Sequence, residues 1–208
     1  MAAKAPKNEI KLRQAENVAQ AIGYADQIGC TLNRFVTISW TLAGCVGPVK
    51  DSQGCYLAGY RHWAKYWKFT PAYVWVIESG PIKGLHSHIL IHVPDELIEA
   101  FQKISKSWIK GKLDQSGSSK TYVNKPQRYG KCPDRLKQVK GTIKYMLKAV
   151  NKPSGKLIGV DPVPTKAGYV AGKRLGTSRN LGQDARRKHA ENKQQAKGKV
   201  QSLAGRGG

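Results

Sequence analysis

The stretch WVIESGPIKGLHSHILIHVP, residues Trp75–Pro94, carries the pattern that decides how this chain folds. On an extended strand successive side chains point to opposite faces. His86 and His88 therefore share one face with Leu90 and His92, while Ser87, Ile89, Ile91 and Val93 share the other. The preceding run Tyr73–Ser79 is rich in Val, Ile and aromatic residues and reads as a second strand, joined to the first as a hairpin through Gly80–Gly84. A register with Gly80 opposite Gly84 sets Glu78 opposite His86 and diagonal to His88. Two imidazoles and one carboxylate then occupy one patch of sheet, which is the geometry of a small divalent-metal site.

The ligand set bounds the metal. Two neutral imidazoles and a carboxylate suit Mn²⁺ or Mg²⁺ with waters, and also accommodate Zn²⁺, Co²⁺ or Ni²⁺. Three protein ligands, Glu78, His86 and His88, leave coordination positions open, as a catalytic site requires and a closed structural zinc site does not. A lone histidine on a half-buried strand is more often a hydrogen-bonded core residue, and His92 fits that description. The paired spacing with a glutamate in register weighs the other way for His86 and His88.

Charge points to the partner. The net charge is +23 over 208 residues, with 36 Lys and Arg against 13 Asp and Glu. Self-repulsion of this size opposes compaction but favours association with polyanions. The excess lies in the second half: Lys112–Lys152 holds eleven basic residues against Asp114 and Asp134, and Pro153–Gly208 holds twelve against Asp161, Asp184 and Glu191. A merely solubilising surface mixes both signs, so nucleic acid is the expected partner. Lys120, Lys125, Arg128, Lys131, Arg135 and Lys144 are the expected contacts. The chain lacks a run of about eighteen apolar residues, and its start lacks the basic-then-apolar order of a signal peptide. A soluble, cytoplasmic protein with no membrane partner is expected. Cys30, Cys45, Cys55 and Cys132 form no CxxC pair and read as reduced thiols, although a Cys45–Cys55 bridge is possible on spacing.

Along the chain the reading is an N-terminal extension (residues 1–33), a catalytic-type domain (34–152) and a basic, largely disordered tail (153–208). In the extension polar Met1–Gln14 is expected to fray ahead of a helix over Ala15–Ile28, and in the tail Gly182–Lys197 can become helical on nucleic acid. Arg34–Leu42 alternates β-branched and aromatic residues and reads as a strand. Ser52–Lys68 carries Tyr56, Tyr60, Trp63 and Trp67 at helical spacing. The hairpin follows, then a helix over Asp95–Ile109, a short strand over Lys120–Asn124 and a helix over Arg135–Val150 with Leu136, Val139, Ile143, Met146, Leu147 and Val150 as its apolar stripe. The order strand, helix, strand, strand, helix, strand, helix implies an α+β fold: an antiparallel sheet with helices on one face, resembling the ferredoxin or RNA-recognition-motif topology. The histidines would lie on the other face, beneath the last helix.

In that last helix Tyr145 and Lys148 are three residues apart and project from one side, toward the histidine patch. A phenol is a poor nucleophile at neutral pH. A metal polarising a phosphate, with a lysine cation nearby, makes its attack feasible. A tyrosine anchoring a helix is the commoner use of the residue. A YxxK pair gains weight only from its place after Glu…HxH in a basic chain.

Taken together these motifs resemble the HUH endonucleases, and among them the rolling-circle replication initiators of small plasmids and phages, over roughly Arg34–Lys152. Phe35–Thr41 loosely matches the family's first motif. His86-Ser87-His88 matches its histidine–apolar–histidine motif, with Ser87 where an apolar residue is usual. Tyr145 and Lys148 match its tyrosine–lysine motif. The resemblance implies that His86, His88 and Glu78 hold the divalent metal and that Tyr145 attacks a phosphodiester of single-stranded DNA. The products would be a 5′-phosphotyrosine and a free 3′-hydroxyl, with Lys148 orienting the phosphate. It also implies a bacterial or phage-infected cell, with host helicase and polymerase as partners, since the chain has no GxxxxGK[ST] loop.

Other readings make different demands. A single-tyrosine transposase of the same superfamily typically has a glutamine four residues after the tyrosine, where this chain has Ala149. A mobilisation relaxase usually carries three histidines and an N-terminal catalytic tyrosine; here the tyrosine follows the histidines, while His92 could serve as the third histidine, which leaves that reading open. A non-catalytic nucleic-acid binder would use Phe35, Trp40, Tyr73 and Trp75 as stacking platforms on the sheet, but has no use for a converging Glu78, His86 and His88. A ribosome-like basic structural protein has no use for them either.

Overall fold

The computed structural model of the protein describes residues 9–45, 47–109, 127–128, 135–160 and 168–204. Helix α1 (Leu12–Gln27) leads into strand β1 (Leu32–Ser39), then α2 (Val49–Tyr66), β2 (Tyr73–Gly80) and β3 (Gly84–His92). A short 3₁₀ turn precedes α3 (Ile98–Ile104). Then come β4 (Gln127–Arg128), α4 (Arg135–Met146), α5 (Lys152–Ile158), β5 (Leu175–Thr177) and α6 (Gln183–Ala204). The strands form one antiparallel sheet in the order β4-β1-β3-β2-β5. The β4-β1-β3-β2 part is compatible with a ferredoxin-like arrangement. The strand expected over Lys120–Asn124 lies outside the described residues.

The hairpin has the register that its glycines imply. Gly80 pairs with Gly84, Glu78 with His86 and Val76 with His88. Across β1, Thr37 pairs with His88 and Ser39 with His86. Gly84 has φ +58°, and a Cβ there would stand 2.7 Å from the Thr41 Cβ, so a residue without a side chain is required. The tip is clasped to the end of β1: Ser39 Oγ donates to the Lys83 carbonyl at 2.6 Å, and the Leu85 N–H donates to Thr41 Oγ1 at 3.0 Å.

Helices cover both faces of the sheet, not one as the element order suggested. On the first face Phe35, Val74, Val76 and Leu90 pack against Val18 and Ile22 of α1, against Met146 at the end of α4 and against Leu147 and Val150 just beyond it. On the second, Val36, Ile38, Ile89 and Ile91 pack against Tyr56, Leu57 and Tyr60 of α2 and Phe101 of α3. The reason is visible in β3, whose Ile89-Leu90-Ile91 is apolar on both sides and so must be buried on both. The histidines share the first face, beyond the area that α1 covers.

The segment after Pro153 corrects the expectation of a basic flexible tail. β5 pairs with β2 through Val74–Thr177 and Val76–Leu175, and Val160, Val170, Leu175 and Leu181 are buried. α6 is clamped to α1 by Arg186, whose Nη2 donates to Asn17 Oδ1 at 2.7 Å, and by the Tyr24–His189 ring contact at 5.3 Å. Within the stretch expected to fray, Ile10 is buried and bridges Val150. Cys30, Cys45 and Cys55 are free thiols. Among the described residues no helix is long and apolar enough to cross a membrane.

Candidate metal centre

Strand β3 and the turn that follows α4 converge on Glu78 of β2. Its Oε2 lies 3.3 Å from His86 Nε2, 3.5 Å from His88 Nε2 and 2.7 Å from Lys148 Nζ. Glu78 and His88 are almost wholly buried and His86 is 6% exposed. One ligand atom from each of Glu78, His86 and His88 falls within 4.8 Å of the others.

The hydrogen bonds fix what these nitrogens present. His86 Nδ1 sits 2.8 Å from the Gly84 carbonyl, which can only accept, so Nδ1 carries the proton. In the neutral ring Nε2 then turns a lone pair toward a carboxylate oxygen. His88 Nδ1 lies 2.9 Å from Thr37 Oγ1, and its Nε2 has no hydrogen-bond partner; neither has Glu78 Oε1. Apart from Lys148 at Glu78 Oε2, these buried acceptors face one another without donors, which is costly. A cation between them removes the conflict, so the donor set fits a divalent metal. The metal's identity follows only coarsely, because imidazole and carboxylate ligands suit several ions.

Electrostatics agree with this geometry. Burial pushes the Glu78 carboxyl up, but the polar contacts with His86 and His88 and the Lys148 ammonium outweigh it and hold the group well below the usual carboxylate range. Burial, outweighing the opposing pull of Glu78, pushes the His88 imidazole down and so favours the neutral form that binds a metal.

The ring of Tyr145 packs on this cluster, with its centroid 4.9 Å from that of His88 and 5.9 Å from that of Phe35. Lys148 Nζ lies 4.3 Å from the Tyr145 ring centroid, so one ammonium touches both the carboxylate and the phenol ring. Tyr145 is 44% exposed and open to a ligand. Phe35 also stacks on His88, at 5.4 Å and 12°, so the rings of Phe35, His88 and Tyr145 touch one another in a triangle. Ser87, the unexpected polar residue between the histidines, is satisfied on the opposite face: Trp40 Nε1 donates to its Oγ at 2.7 Å, and the Oγ donates to Gln53 Oε1.

The remaining expected residues divide. Lys144 is exposed on α4, Arg128 lies in β4 and Arg135 opens α4, while Lys120, Lys125 and Lys131 lie outside the described residues. His92 is not part of the cluster, since its Nδ1 pairs with the Thr31 carbonyl at 2.8 Å. Trp40 and Tyr73 are buried in the second layer, and Phe35 beneath His88 and Tyr145, so the sheet does not offer them as stacking platforms. Sequence reasoning missed Thr37, which orients His88, and Arg174, buried beside β2. Burial pushes the Arg174 guanidinium down and the Glu78 charge pushes it up. Thr37 was legible as the residue facing His88 once β1 and β3 are paired; Arg174 was hidden in a segment whose composition reads as tail.

Compared with protein-family models, with curated proteins and with solved structures, the chain finds no match.

Proposed function

We propose that this chain nicks and rejoins single-stranded DNA at an origin, in the manner of the HUH replication initiators of rolling-circle elements, with Tyr145 as nucleophile. The observation that carries the reading is the packing of Tyr145 on His88, 4.9 Å between ring centroids, with Lys148 bonded to Glu78. A basic chain, a β4-β1-β3-β2 order compatible with a ferredoxin-like sheet and the buried Glu78, His86 and His88 group support it.

In this mechanism Glu78, His86 and His88 hold Mn²⁺ or Mg²⁺. The bound ion supplies Lewis-acid polarisation of the scissile phosphate. Tyr145 forms the new P–O bond as the P–O3′ bond breaks; the phenol gives up its proton and the departing 3′ oxygen gains one. The 5′ phosphate stays on the tyrosine, and reversal by a 3′-hydroxyl rejoins a strand. Lys148, beside the phenol ring, offsets negative charge as it develops. Thr37 holds His88 in place. The basic surface draws in DNA, with affinity that falls steeply as salt rises.

The test is incubation of labelled single-stranded oligonucleotides with the protein and Mn²⁺, read on a denaturing gel. A covalent adduct that disappears with Tyr145→Phe or on chelation is expected. Tight, salt-sensitive binding without any adduct would replace this reading with a non-catalytic nucleic-acid binder.

A further inference from the structure

A groove of about 1150 Å³ opens at the far end of β2 from Glu78, between α2, the start of β2 and the first turns of α6. Its walls carry three exposed cations from three elements: Arg61 of α2, Arg179 just after β5, and Lys188 of α6. Its one acidic lining residue, Asp184, is held by Arg187 at 3.4 Å. No carboxylate pairs with Arg61, Arg179 or Lys188 among the described residues. Arg61 Nη1 donates to the Tyr73 hydroxyl at 3.0 Å, which fixes the guanidinium at the lip. The opposite wall is equally fixed, because Arg186 ties α6 to α1. Cations held on three rigid elements around one concavity form an anion-binding surface, unlike the mixed signs of a solubilising one.

Beside the groove stands an independent feature. Tyr66 and Trp67, at the end of α2, are 75% and 45% exposed and meet edge to face at 5.4 Å. Lys65 and Lys68 flank them in sequence. Lys68, at φ 57°, turns the chain from this pair into Thr70 and Pro71, which line the groove. Exposed aromatic rings bordered by lysines and continuous with a cationic groove are the elements of a single-strand binding surface, where rings stack bases and cations follow the phosphates.

We propose that this corner of the molecule binds single-stranded DNA, with phosphates in the groove and bases on Tyr66 and Trp67. The inference rests on the reading of the chain as a DNA-nicking enzyme and gives it a second hold on the substrate strand. Tyr73 and Glu78 are five residues apart on β2, about 17 Å at roughly 3.3 Å per residue. That distance corresponds to about five stacked nucleotides at roughly 3.4 Å each. Tyr73 and Glu78 point to opposite faces of β2, so a strand held in the corner meets the site at least about five nucleotides from the scissile phosphate.

The experiment measures binding of a fluorescent 20-mer oligo-dT, and of a duplex of the same length, by anisotropy across a salt series. It compares the full chain with the double variant Arg179→Glu, Lys188→Glu and with Trp67→Ala. For the double variant we expect single-strand affinity to drop at least about tenfold and the log–log salt slope to shrink by about 1.4, roughly 0.7 per lost phosphate contact. Trp67→Ala should weaken the single strand by about tenfold and leave the duplex unchanged. Wild-type affinity and slope in both variants would overturn the proposal. Equal losses on duplex and single strand with Trp67→Ala silent would overturn its single-strand assignment. The Tyr145 adduct assay is scored separately. Adducts without any effect of these variants would remove the groove and keep the nicking reading, whereas lost binding in a chain that never forms adducts would do the reverse.

Discussion

His86 Nε2 faces Glu78 Oε2 at 3.3 Å while its Nδ1 is committed to the Gly84 carbonyl, so a neutral His86 sets a lone pair against a buried carboxylate. Two acceptors are held together by a hairpin register that neither of them stabilises. Positive charge is the missing element, and Lys148, 2.7 Å from the same oxygen, supplies part of it. The arrangement is therefore a cation site whose strength is set by geometry already present in the sheet.

Metal should stabilise the folded chain. Mn²⁺ at a hundred times its dissociation constant adds about 2.7 kcal/mol, which for a chain of this size raises Tm by roughly 5–10 °C. Glu78→Gln or His88→Ala should abolish the rise, and a chelator should reverse it. Thr37→Val should keep the fold but weaken Mn²⁺ roughly 10–100-fold, because His88 loses the partner that orients it. Thermal melts and calorimetric titration measure both effects. An undiminished rise in Glu78→Gln would show that the ion binds elsewhere.

Lys148→Met should act differently with and without metal. Without it, the variant leaves the Glu78 carboxylate buried against two imidazoles with its closest cation gone. The cost is about 3 kcal/mol, the low end for breaking a buried pair because Lys148 is 25% exposed. With saturating Mn²⁺ most of that loss should disappear. Urea unfolding under both conditions is the measurement; a loss of the same size in both would mean that Lys148 contributes by packing alone.

Much of this site was legible in the sequence because a hairpin has few registers. Once Gly80 and Gly84 close the turn, the pleat alone sends Glu78, His86 and His88 to one face, and β1 then brings Thr37 beside His88. The second helical layer was less legible. Tyr56 and Tyr60 showed helical spacing, yet nothing in α2 tells which face of the sheet it covers. The C-terminal segment misled for a different reason. Leu175 and Leu181 are isolated apolar residues among Gly, Lys and Arg, a composition that reads as solvated chain. Their burial depends on the free edge of β2, which lies a hundred residues earlier.

Leu181→Ala tests that segment. Leu181 is wholly buried in the layer that α1 shares. Its truncation should cost about 2–5 kcal/mol, as for a leucine in a well-packed core. A loss under about 0.5 kcal/mol, the range of surface substitutions, would return the segment to the status of a tail. Chemical denaturation with wild type as reference decides between the two.

Alkaline titration tests the second layer. The Tyr60 hydroxyl donates to the His92 carbonyl at 2.7 Å and accepts from the Ala72 N–H at 3.3 Å, inside the core that α2 forms with the sheet. Burial pushes its phenol, and that of Tyr56, well above the ordinary range. In the unfolded chain both ionise near about 10. Above that pH the two sites bind more protons in the folded state than in the unfolded one, so their contribution to stability is constant below it and falls as pH rises through it. Absorbance at the tyrosinate band should therefore show Tyr56 and Tyr60 ionising only as the chain unfolds, while Tyr60→Phe should lessen the loss of stability per pH unit. Ionisation of both phenols near 10 in a chain that remains folded would place α2 off the sheet and reopen its second face.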